Sequence, residues 1–455
     1  MLGSSIAAMD GIYDHLDRTA HDAMDRCTSC GKCVEACPTA AAIGLDKVQA
    51  IPIAAGLAAL TRGDEPAPES VRWVEACNGS AQCSAACPEQ INVRQWVSIE
   101  RMRLRHKAAP EAQRAEAARR RFRTMAHSVR LLSSMQVPSE ALHRIEAQRR
   151  DRAADFVFYT GCNVLRTPHL VFNVMDILEA LGVEYQVMGG PGHCCGVYHF
   201  HEADLATYQK VAGHTYDAFA KVGAKRVLSW CPSCTKQLGE NWHDYAQAKF
   251  EFGHIAKFFV EQLDRMAPRF RADLPRQRVA IHEHEGIAGV ASSVARIVAA
   301  IPNVELVEIP QDRGFGYVCG GPAARHPEQE REVHRKVAEN AAAAGVDVLV
   351  TLYHACHRQL SGAEARYPFA VKNFTDLLAE ALGTGGRHDY YKQYKRGGEM
   401  DEAIAAAKAY LADNGVTLDA ATVTALSAEI FGEVGIAGAR DAFEQGIGSL
   451  AAAKA

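Results

Sequence analysis

Five cysteines between residues 155 and 238 constrain this chain more than any other feature. They are Cys162, Cys194, Cys195, Cys231 and Cys234, and they follow short apolar runs or lie beside glycines. Cys162 and the adjacent pair are separated by 31 residues, and the pair and the Cys-x-x-Cys are separated by 35. An α/β domain presents side chains in this way at the carboxyl ends of its strands. Adjacent cysteines suit a polynuclear cluster in which one thiolate bridges two irons. Buried free thiols, or a redox-active Cys-x-x-Cys beside unrelated cysteines, are the simpler interpretation.

A second group of cysteines lies nearer the N-terminus. The segment CTSCGKCVEACP has the spacing of a bacterial ferredoxin cluster motif, and CNGSAQCSAACP repeats it with Ser80 in place of the second cysteine. In two-cluster ferredoxins the fourth cysteine of each motif ligates the other cluster. This rule predicts one 4Fe-4S cluster on Cys27, Cys30, Cys33 and Cys87. It predicts a second cluster on Cys37, Cys77 and Cys83, with Ser80 at the position of the fourth ligand.

Ser80 leaves the type of the second cluster open. A serine hydroxyl is a poor iron ligand unless it is deprotonated. Three interpretations follow: a 3Fe-4S cluster, a 4Fe-4S cluster with an oxygen ligand at the odd iron, or an empty site. Either filled form shifts the reduction potential or leaves an open iron.

The region that holds the five cysteines also contains an internal duplication. Residues 227–238 align with residues 351–360, which places Cys356 opposite Cys234. The adjacent cysteine pair meets Val318 and Cys319, so the second copy keeps two cysteines of five. His284 or Glu285 is opposite Cys162.

The second copy retains several side chains that bind zinc or a single iron in other proteins. These candidate ligands are His282, His284, Glu285, Cys319, His354, Cys356 and His357. A decayed repeat kept for its fold is one alternative. Histidines that line a cavity and deliver protons to a substrate thiolate are another.

The order of elements predicts a mixed α+β and α/β fold. Each copy alternates short apolar strands with helices of 10–20 residues, which indicates parallel sheets with crossover helices. We predict an N-terminal helical, dicluster ferredoxin-like domain and two pseudo-symmetric α/β domains, joined by a helical linker and followed by a helical tail. The predicted bounds are 1–110 for the ferredoxin-like domain, 111–152 for the linker, 153–270 and 271–385 for the α/β domains, and 386–455 for the tail.

Composition limits the function classes. The net charge of −4 argues against a nucleic-acid partner, and the arginine run ARRRFR is interpreted as part of a solvated helical linker. Fourteen clustered cysteines favour metal ligation in a reducing compartment over disulfides. No apolar run approaches the ~20 residues of a membrane span, and no secretion signal is evident. We therefore expect a cytoplasmic protein, with peripheral attachment to a membrane complex as an option.

Together, these motifs resemble the heterodisulfide reductase family. The five cysteines are similar to the CCG domain of its B-subunit, and residues 1–110 look like its C-subunit fused in front of that domain; the resemblance covers roughly residues 20–385. It implies a noncubane 4Fe-4S cluster on the five cysteines, at which a disulfide is cleaved. Cys194 and Cys195 would then be catalytic, with His193 tuning the cluster. The degenerate second motif removes the second noncubane cluster of double-motif relatives.

Two functions remain open at this stage. In the first, the chain passes electrons from its ferredoxin-like clusters to the noncubane cluster, which acts on a disulfide, a thiol or a sulfur carrier. In the second, it is a non-catalytic relay for an electron-transferring flavoprotein, a hydroxyacid oxidase or a quinone-linked membrane partner. No dinucleotide fingerprint follows a strand, so we expect no flavin in the chain. A flavoprotein partner, such as one resembling the A-subunit of heterodisulfide reductase, and a hetero-oligomer are therefore expected.

Overall fold

The computed structural model describes residues 11–45, 48–137, 141, 144, 154–284, 286–311, 319, 326–396, 400–431 and 439–452. Glu285, one of the predicted ligands, lies outside the described residues, as does most of the predicted linker after residue 137.

The N-terminal region is helical in its described part. Its first helix buries Ile12, Leu16, Ala20 and Ala23, a spacing that places them on one face of the helix. They join a core that includes both ferredoxin-like motifs. The helices are Ile12–Arg26, Lys32–Glu35, Pro38–Ala42, Ala50–Arg62, Pro68–Ala76, Gln82–Ala85 and Val93–Ala108.

A 26-residue helix, Glu111–Gln136, occupies the first half of the predicted linker. Its buried residues face two neighbours. Met125 and Val129 pack against Cys162 and Cys194, while Leu131, Leu132 and Met135 pack against the C-terminal helices. The helix therefore packs against two of the five cysteines.

The first sheet is parallel, with strand order β2-β1-β3-β4. The central strand β1 is buried along its whole length, as expected for a sheet covered on both faces. The strands are β1 (Phe156–Gly161), β2 (Tyr185–Gly189), β3 (Arg226–Ser229) and β4 (Glu251–His254). The accompanying helices are Pro168–Leu181, Val197–His201, Leu205–Val222, Pro232–Cys234, a π-helix at Thr235–Trp242, Ile255–Glu261 and Leu263–Met266.

The second sheet is also parallel and has the corresponding strand order, β6-β5-β7-β8. The predicted class of mixed helices and parallel sheets is thus confirmed. One hydrophobic core spans both sheets. The strands are β5 (Gln277–Ile281), β6 (Val304–Leu306), β7 (Val348–Thr351) and β8 (Ala370–Asn373), and the helices are Val290–Ala299, Pro327–Ala343, His354–Leu360 and Phe374–Leu382.

The C-terminal helices are Tyr390–Lys395, Met400–Asn414, Ala420–Phe431 and Ala439–Ala452. They pack on Glu111–Gln136, and the Tyr394 hydroxyl donates to the Met135 carbonyl at 2.9 Å. Glu429 forms ion pairs with both Arg166 and Arg358. Among the described helices, none combines the length and the apolar character needed to cross a bilayer.

Candidate iron–sulfur sites and the cavity between them

The first predicted cluster set comes together in space. Cys27, Cys30 and Cys33 line one cavity with Cys87, the last cysteine of the other motif, so the crossed grouping is present in the fold. Apolar side chains close this cavity, including Leu57 and Trp96. Burial raises the pKa of Cys33 to about 12, and the neighbouring Cys27 and Cys30 contribute to that rise. Four thiolates this close together need a positive group to balance them, and the iron of a 4Fe-4S cluster suits that donor set.

The second motif keeps the loop conformation of the first. Ser29 and Gly31, which flank Cys30, have φ values of 52° and 80°; Gly79 and Ala81, which flank Ser80, have 83° and 65°. A left-handed conformation costs a residue other than glycine about 1–2 kcal/mol. Ala81 therefore adopts this loop conformation although it is unfavourable for alanine. Ser80 therefore occupies the position that a cysteine holds in the first motif.

Ser80 lies in a small cavity with the three remaining thiols of the second set, Cys37, Cys77 and Cys83. Its backbone N–H donates to the Asn78 side chain at 3.1 Å. Burial raises the pKa of Cys37 and, with help from the neighbouring Cys77, that of Cys83. Three thiols and one hydroxyl suit either a three-iron cluster or a cubane with one oxygen ligand.

All five cysteines of the first repeat are buried at the carboxyl ends of parallel strands. Cys162 directly follows β1, the adjacent pair follows β2, and Cys231 and Cys234 follow β3. Their thiols form a continuous chain of contacts: Cys162 with Cys194, Cys194 with Cys195, Cys195 with Cys234, and Cys234 with Cys231. Five buried thiols in contact are a donor set for a polynuclear cluster.

Glycine is required at the edge of this site. Gly161 has φ 67°, and a Cβ added there would lie 2.8 Å from the Cys234 Sγ. Both the positive φ and the short distance to the Cys234 Sγ exclude a residue larger than glycine at this position without a local rearrangement. The π-helix that follows Cys234 is also unusual, since such segments occur mostly as single turns and often at functional sites.

His193 directly precedes Cys194, and its ring contacts a residue other than the five cysteines. Its ring stacks on that of His214, with centroids 5.6 Å apart, and its carbonyl accepts from the Tyr159 hydroxyl at 2.8 Å. It is not among the described residues that line the cavity below.

A cavity of about 290 Å³ lies between the three cysteine-bearing parts of the chain. Cys77 of the second ferredoxin-like motif and Cys231 of the first repeat line it, together with His284, Cys319 and His354 of the second repeat. The cavity therefore adjoins the second predicted cluster site and the five-cysteine site at once. Nothing local in the sequence indicates it, because its walls come from segments more than 200 residues apart.

The cavity wall is rich in positive charge, with Arg94, Arg101, Arg121, Lys236 and Arg358 among the lining residues. Glu240, Glu202 and Glu429 pair with the Arg94, Arg121 and Arg358 side chains, respectively.

The other two cations differ from these. Arg101 donates to the Cys77 carbonyl at 2.9 Å, and neither it nor Lys236 has a carboxylate within salt-bridge distance among the described residues. Burial, and then the positive charge of Arg101, lowers the pKa of Lys236 to about 8. Two cations thus face the cavity without a described carboxylate in direct contact, although Glu75 acts on Arg101 and Glu240 acts on Lys236 at longer range.

One helix fixes the ferredoxin-like region against the first repeat. Val93–Ala108 docks on the π-helix, where Glu240 accepts from Arg94 and Asn92 through its carboxylate and from the Gln95 side chain at 2.8 Å through its carbonyl. Arg94 also donates to the Gly286 carbonyl of the second repeat at 2.8 Å. These contacts hold the two predicted cluster sites on either side of the cavity.

The candidate ligands of the second repeat separate into two groups. Cys319 lies with His282 and with His334, a residue that sequence reasoning missed, and it also lies with His284 and Cys356. His357 lies apart from them and bonds to Asp389 at 2.6 Å, with His169 close by. His284 and His354 line the cavity, and burial lowers the pKa of both.

The fold and these sites define an iron–sulfur electron-transfer protein. Comparison with protein-family models agrees. A 4Fe-4S dicluster domain matches residues 22–91, and a cysteine-rich domain matches residues 156–239 and 283–361.

Similar proteins include subunits from Methanosarcina and Methanothermobacter species. The D-subunit of dihydromethanophenazine:CoB–CoM heterodisulfide reductase from Methanosarcina barkeri is 27% identical over 398 residues, which cover 79% of this chain and 94% of the relative. Its counterpart from Methanosarcina mazei is 26% identical over 399 residues, with the same coverage. The B-subunit of the fumarate reductase (CoM/CoB) of Methanothermobacter marburgensis is 23% identical over 314 residues, which cover 66% of this chain and 60% of the relative.

The chain is therefore an iron–sulfur oxidoreductase homologous to the D-subunit of heterodisulfide reductase, with a dicluster domain fused to a repeated cysteine-rich domain. The expectation of 4Fe-4S clusters, including a noncubane cluster, is confirmed at this level.

Proposed function

We propose that this chain is a reductase subunit that acts on a disulfide, a thiol or a sulfur-carrier substrate with a negative charge. The observation that carries this proposal is the cavity lined by Cys231 and by two cations without a carboxylate partner among the described residues. A pure relay needs cluster sites in line, but it needs no charged cavity beside one of them.

We assign the cofactor ligands as the sequence predicts. Cys27, Cys30, Cys33 and Cys87 hold one 4Fe-4S cluster, and Cys37, Cys77 and Cys83 hold the second, with Ser80 beside the odd iron position. The five cysteines of the first repeat hold the noncubane cluster. When bound, these groups supply electrons singly and offer iron to a substrate sulfur.

The chain's own residues bind and orient the substrate. Arg101 and Lys236 attract an anionic group of the substrate and thereby bring its sulfur toward the side of the cavity where Cys231 lies. Reduction of one disulfide breaks one S–S bond, consumes two electrons and two protons, and releases two thiols. His284 and His354 line the same cavity, but burial lowers the pKa of both, so the two protons come from solvent and not from these rings.

The electrons must come from outside the chain. We propose a hetero-oligomer in which a flavoprotein, or a quinone-linked membrane protein, docks near the first ferredoxin-like motif. Cys30 is exposed there, whereas the five cysteines of the first repeat are buried. A cluster near the surface exchanges electrons with a partner more readily than one deep in the fold.

The test uses electron paramagnetic resonance on the anaerobically purified chain, oxidised stepwise with and without a carboxylate-bearing thiol such as thioglycolate. We expect a thiol-dependent signal that is lost in Cys194→Ser. It should also be lost in Ala355→Trp, since Ala355 lines the cavity and a large side chain there fills it. Ala112→Trp, on the exposed face of Glu111–Gln136, is the matched control and should keep the signal.

The relay is the alternative outcome of this experiment. Signals that titrate with potential but do not respond to thiol, and that are the same in Ala355→Trp as in the unmodified chain, would support the relay and contradict the proposal.

A further inference from the structure

We propose that one zinc ion binds where the two repeats and the C-terminal helices meet, with His169, His357 and Asp389 as its protein ligands. The three residues come from three parts of the fold. His169 lies in the first turn of the helix Pro168–Leu181, His357 lies on the helix His354–Leu360, and Asp389 directly precedes the helix Tyr390–Lys395. One ligand atom from each residue lies within 4.8 Å of those of the other two. The set contains no cysteine, so this site is separate from the predicted cluster sites.

His169 is the member of this group whose position the protein alone does not explain. Its side chain is buried, yet neither ring nitrogen has a hydrogen-bond partner among the described residues. The Nδ1 atom faces Asp389 Oδ1 at 3.6 Å and the Nε2 atom faces Asp376 Oδ1 at 4.0 Å, and both distances are too long for a hydrogen bond. Buried polar groups are normally paired, so this ring indicates a ligand that binds nitrogen. Burial also lowers the pKa of His169, which favours the neutral form that metals bind.

The other two ligands already have a suitable orientation. The His357 Nε2 lies 2.6 Å from Asp389 Oδ2, and its Nδ1 lies 3.4 Å from the Thr351 hydroxyl oxygen. Metal-binding histidines commonly hold their second nitrogen by such an outer contact. Zinc bonds of about 2.0–2.2 Å give a nitrogen–oxygen separation of about 3.4 Å at the tetrahedral angle. The contact between His169 and Asp389 is close to that value, and the contact between His357 and Asp389 reaches it if it lengthens by about 0.8 Å.

The donor set favours zinc. Two imidazoles and one carboxylate form a known zinc-binding set in which water takes the fourth position. Asp389 also lines a second cavity, of about 650 Å³, through which water can reach the ion. The same set binds ferrous iron in other proteins, but zinc binds nitrogen and oxygen donors more tightly than ferrous iron does.

The ion would connect the C-terminal helices to both repeats. Arg358, which follows His357 on the same helix, lines the cavity beside the five-cysteine site and pairs with Glu429 of the C-terminal helices. An ion bound to His357 would therefore hold the helix that presents Arg358 to that cavity. The inference does not depend on the proposed reductase activity, because the packing would be the same in a relay.

The experiment measures zinc and iron in the anaerobically purified full chain and records zinc K-edge X-ray absorption, to which the iron clusters do not contribute. His169→Phe keeps a ring and removes both nitrogens. It should lower the zinc content by about one ion per chain and leave the iron content unchanged. The component that this variant loses should contain nitrogen and oxygen neighbours at about 2.0–2.2 Å and no sulfur. His169→Cys should keep the zinc and add one sulfur at about 2.3 Å, which guards against a variant that fails to fold.

His199→Phe is the matched control, since His199 is also buried and also bonds to a carboxylate, that of Asp204 in the first repeat. It should keep both metals. The proposal is overturned if His169→Phe loses no zinc, or if it loses iron in place of zinc. Sulfur neighbours in the lost component would overturn it as well, as would a His169→Cys spectrum without the added sulfur.

Discussion

Replacing Arg101 with glutamine tests whether the cavity selects a negatively charged substrate. Arg101 and Arg121 both line the cavity, but Glu202 pairs with Arg121, whereas Arg101 has only the Cys77 carbonyl as its described partner. A hydrogen bond to a charged group contributes about 1.5–3 kcal/mol. Because each 1.4 kcal/mol is tenfold, Arg101→Gln should lower kcat/KM for an anionic disulfide by about 10- to 150-fold. Arg121→Gln, whose charge is already balanced, should lose less than about fivefold.

The assay is disulfide reduction driven by a reduced viologen, with two substrates of similar size. Dithiodiglycolate carries two carboxylates, while bis(2-hydroxyethyl) disulfide is neutral. We expect Arg101→Gln to affect the first and to leave the second within about twofold, and we expect the difference to shrink at high salt, which screens charges. An unchanged rate with the neutral disulfide also shows that the contact with Cys77 was not essential to the neighbouring cluster.

Equal losses for the two disulfides in Arg101→Gln would refute the reasoning. The same holds for equal losses in Arg101→Gln and Arg121→Gln. Either result would mean that the arginine supports the fold of the cavity and that its charge does not bind substrate.

Three further predictions concern single residues. Ser80→Cys should abolish a three-iron signal of the oxidised protein and add about one iron per chain; an unchanged iron content would instead indicate that the serine oxygen already holds a fourth iron. Gly161→Ala should lower the iron bound by the first repeat and spare the dicluster signals, because its Cβ would meet the Cys234 Sγ; normal iron content would contradict this. Glu429→Gln should cost about 3–5 kcal/mol of unfolding free energy by leaving Arg166 and Arg358 buried without a partner, which thermal denaturation at pH 7 would measure. Burial raises the pKa of Glu429, but Arg166 and Arg358 outweigh it and the net pKa is lowered, so its stabilisation should be present above about pH 4.5 and lost as pH falls through the folded value, a loss that Glu429→Gln should not show.

The cluster sites could be located from sequence because their ligands are local. Cysteine spacing in the ferredoxin-like motifs directly encodes a loop, and the structure adds that Ala81 holds the left-handed conformation of its counterpart Gly31. The crossed grouping of Cys87 with the first motif follows from the same pattern. Strand periodicity likewise indicated which cysteines follow β1, β2 and β3.

His334 could not be found in this way, because it lies 15 residues beyond Cys319, on a helix with no cysteine. A weak signal was present. Glu330, Val333, His334 and Val337 share one face of the helix Pro327–Ala343, and all four are buried. A histidine on the buried face of a helix is usually part of a core, so only the fold shows that this one contacts the Cys319 thiol.

The cavity could not be predicted from the sequence for a related reason. Two of its cations belong to segments whose sequences are typical of solvated helices. Arg101 lies on the helix Val93–Ala108 of the ferredoxin-like region, and Arg121 lies in the arginine run of the predicted linker. Each becomes a cavity residue only when the two repeats and the ferredoxin-like region pack around one space.

The two repeats place different chemistry on the same strand order. In the first, five thiols lie in contact after β1, β2 and β3; in the second, Cys319 and Cys356 lie beside histidine rings. Loss of three cysteines need not mean loss of function, because Cys319 still borders the cavity that Cys231 lines from the first repeat. If one repeat supplies electrons and the other a fixed wall, substitutions at Cys319 should change the shape of the cavity without changing the potentials of the clusters. Substitutions at Cys231 should lower the iron content of the first repeat and change the potentials of the clusters.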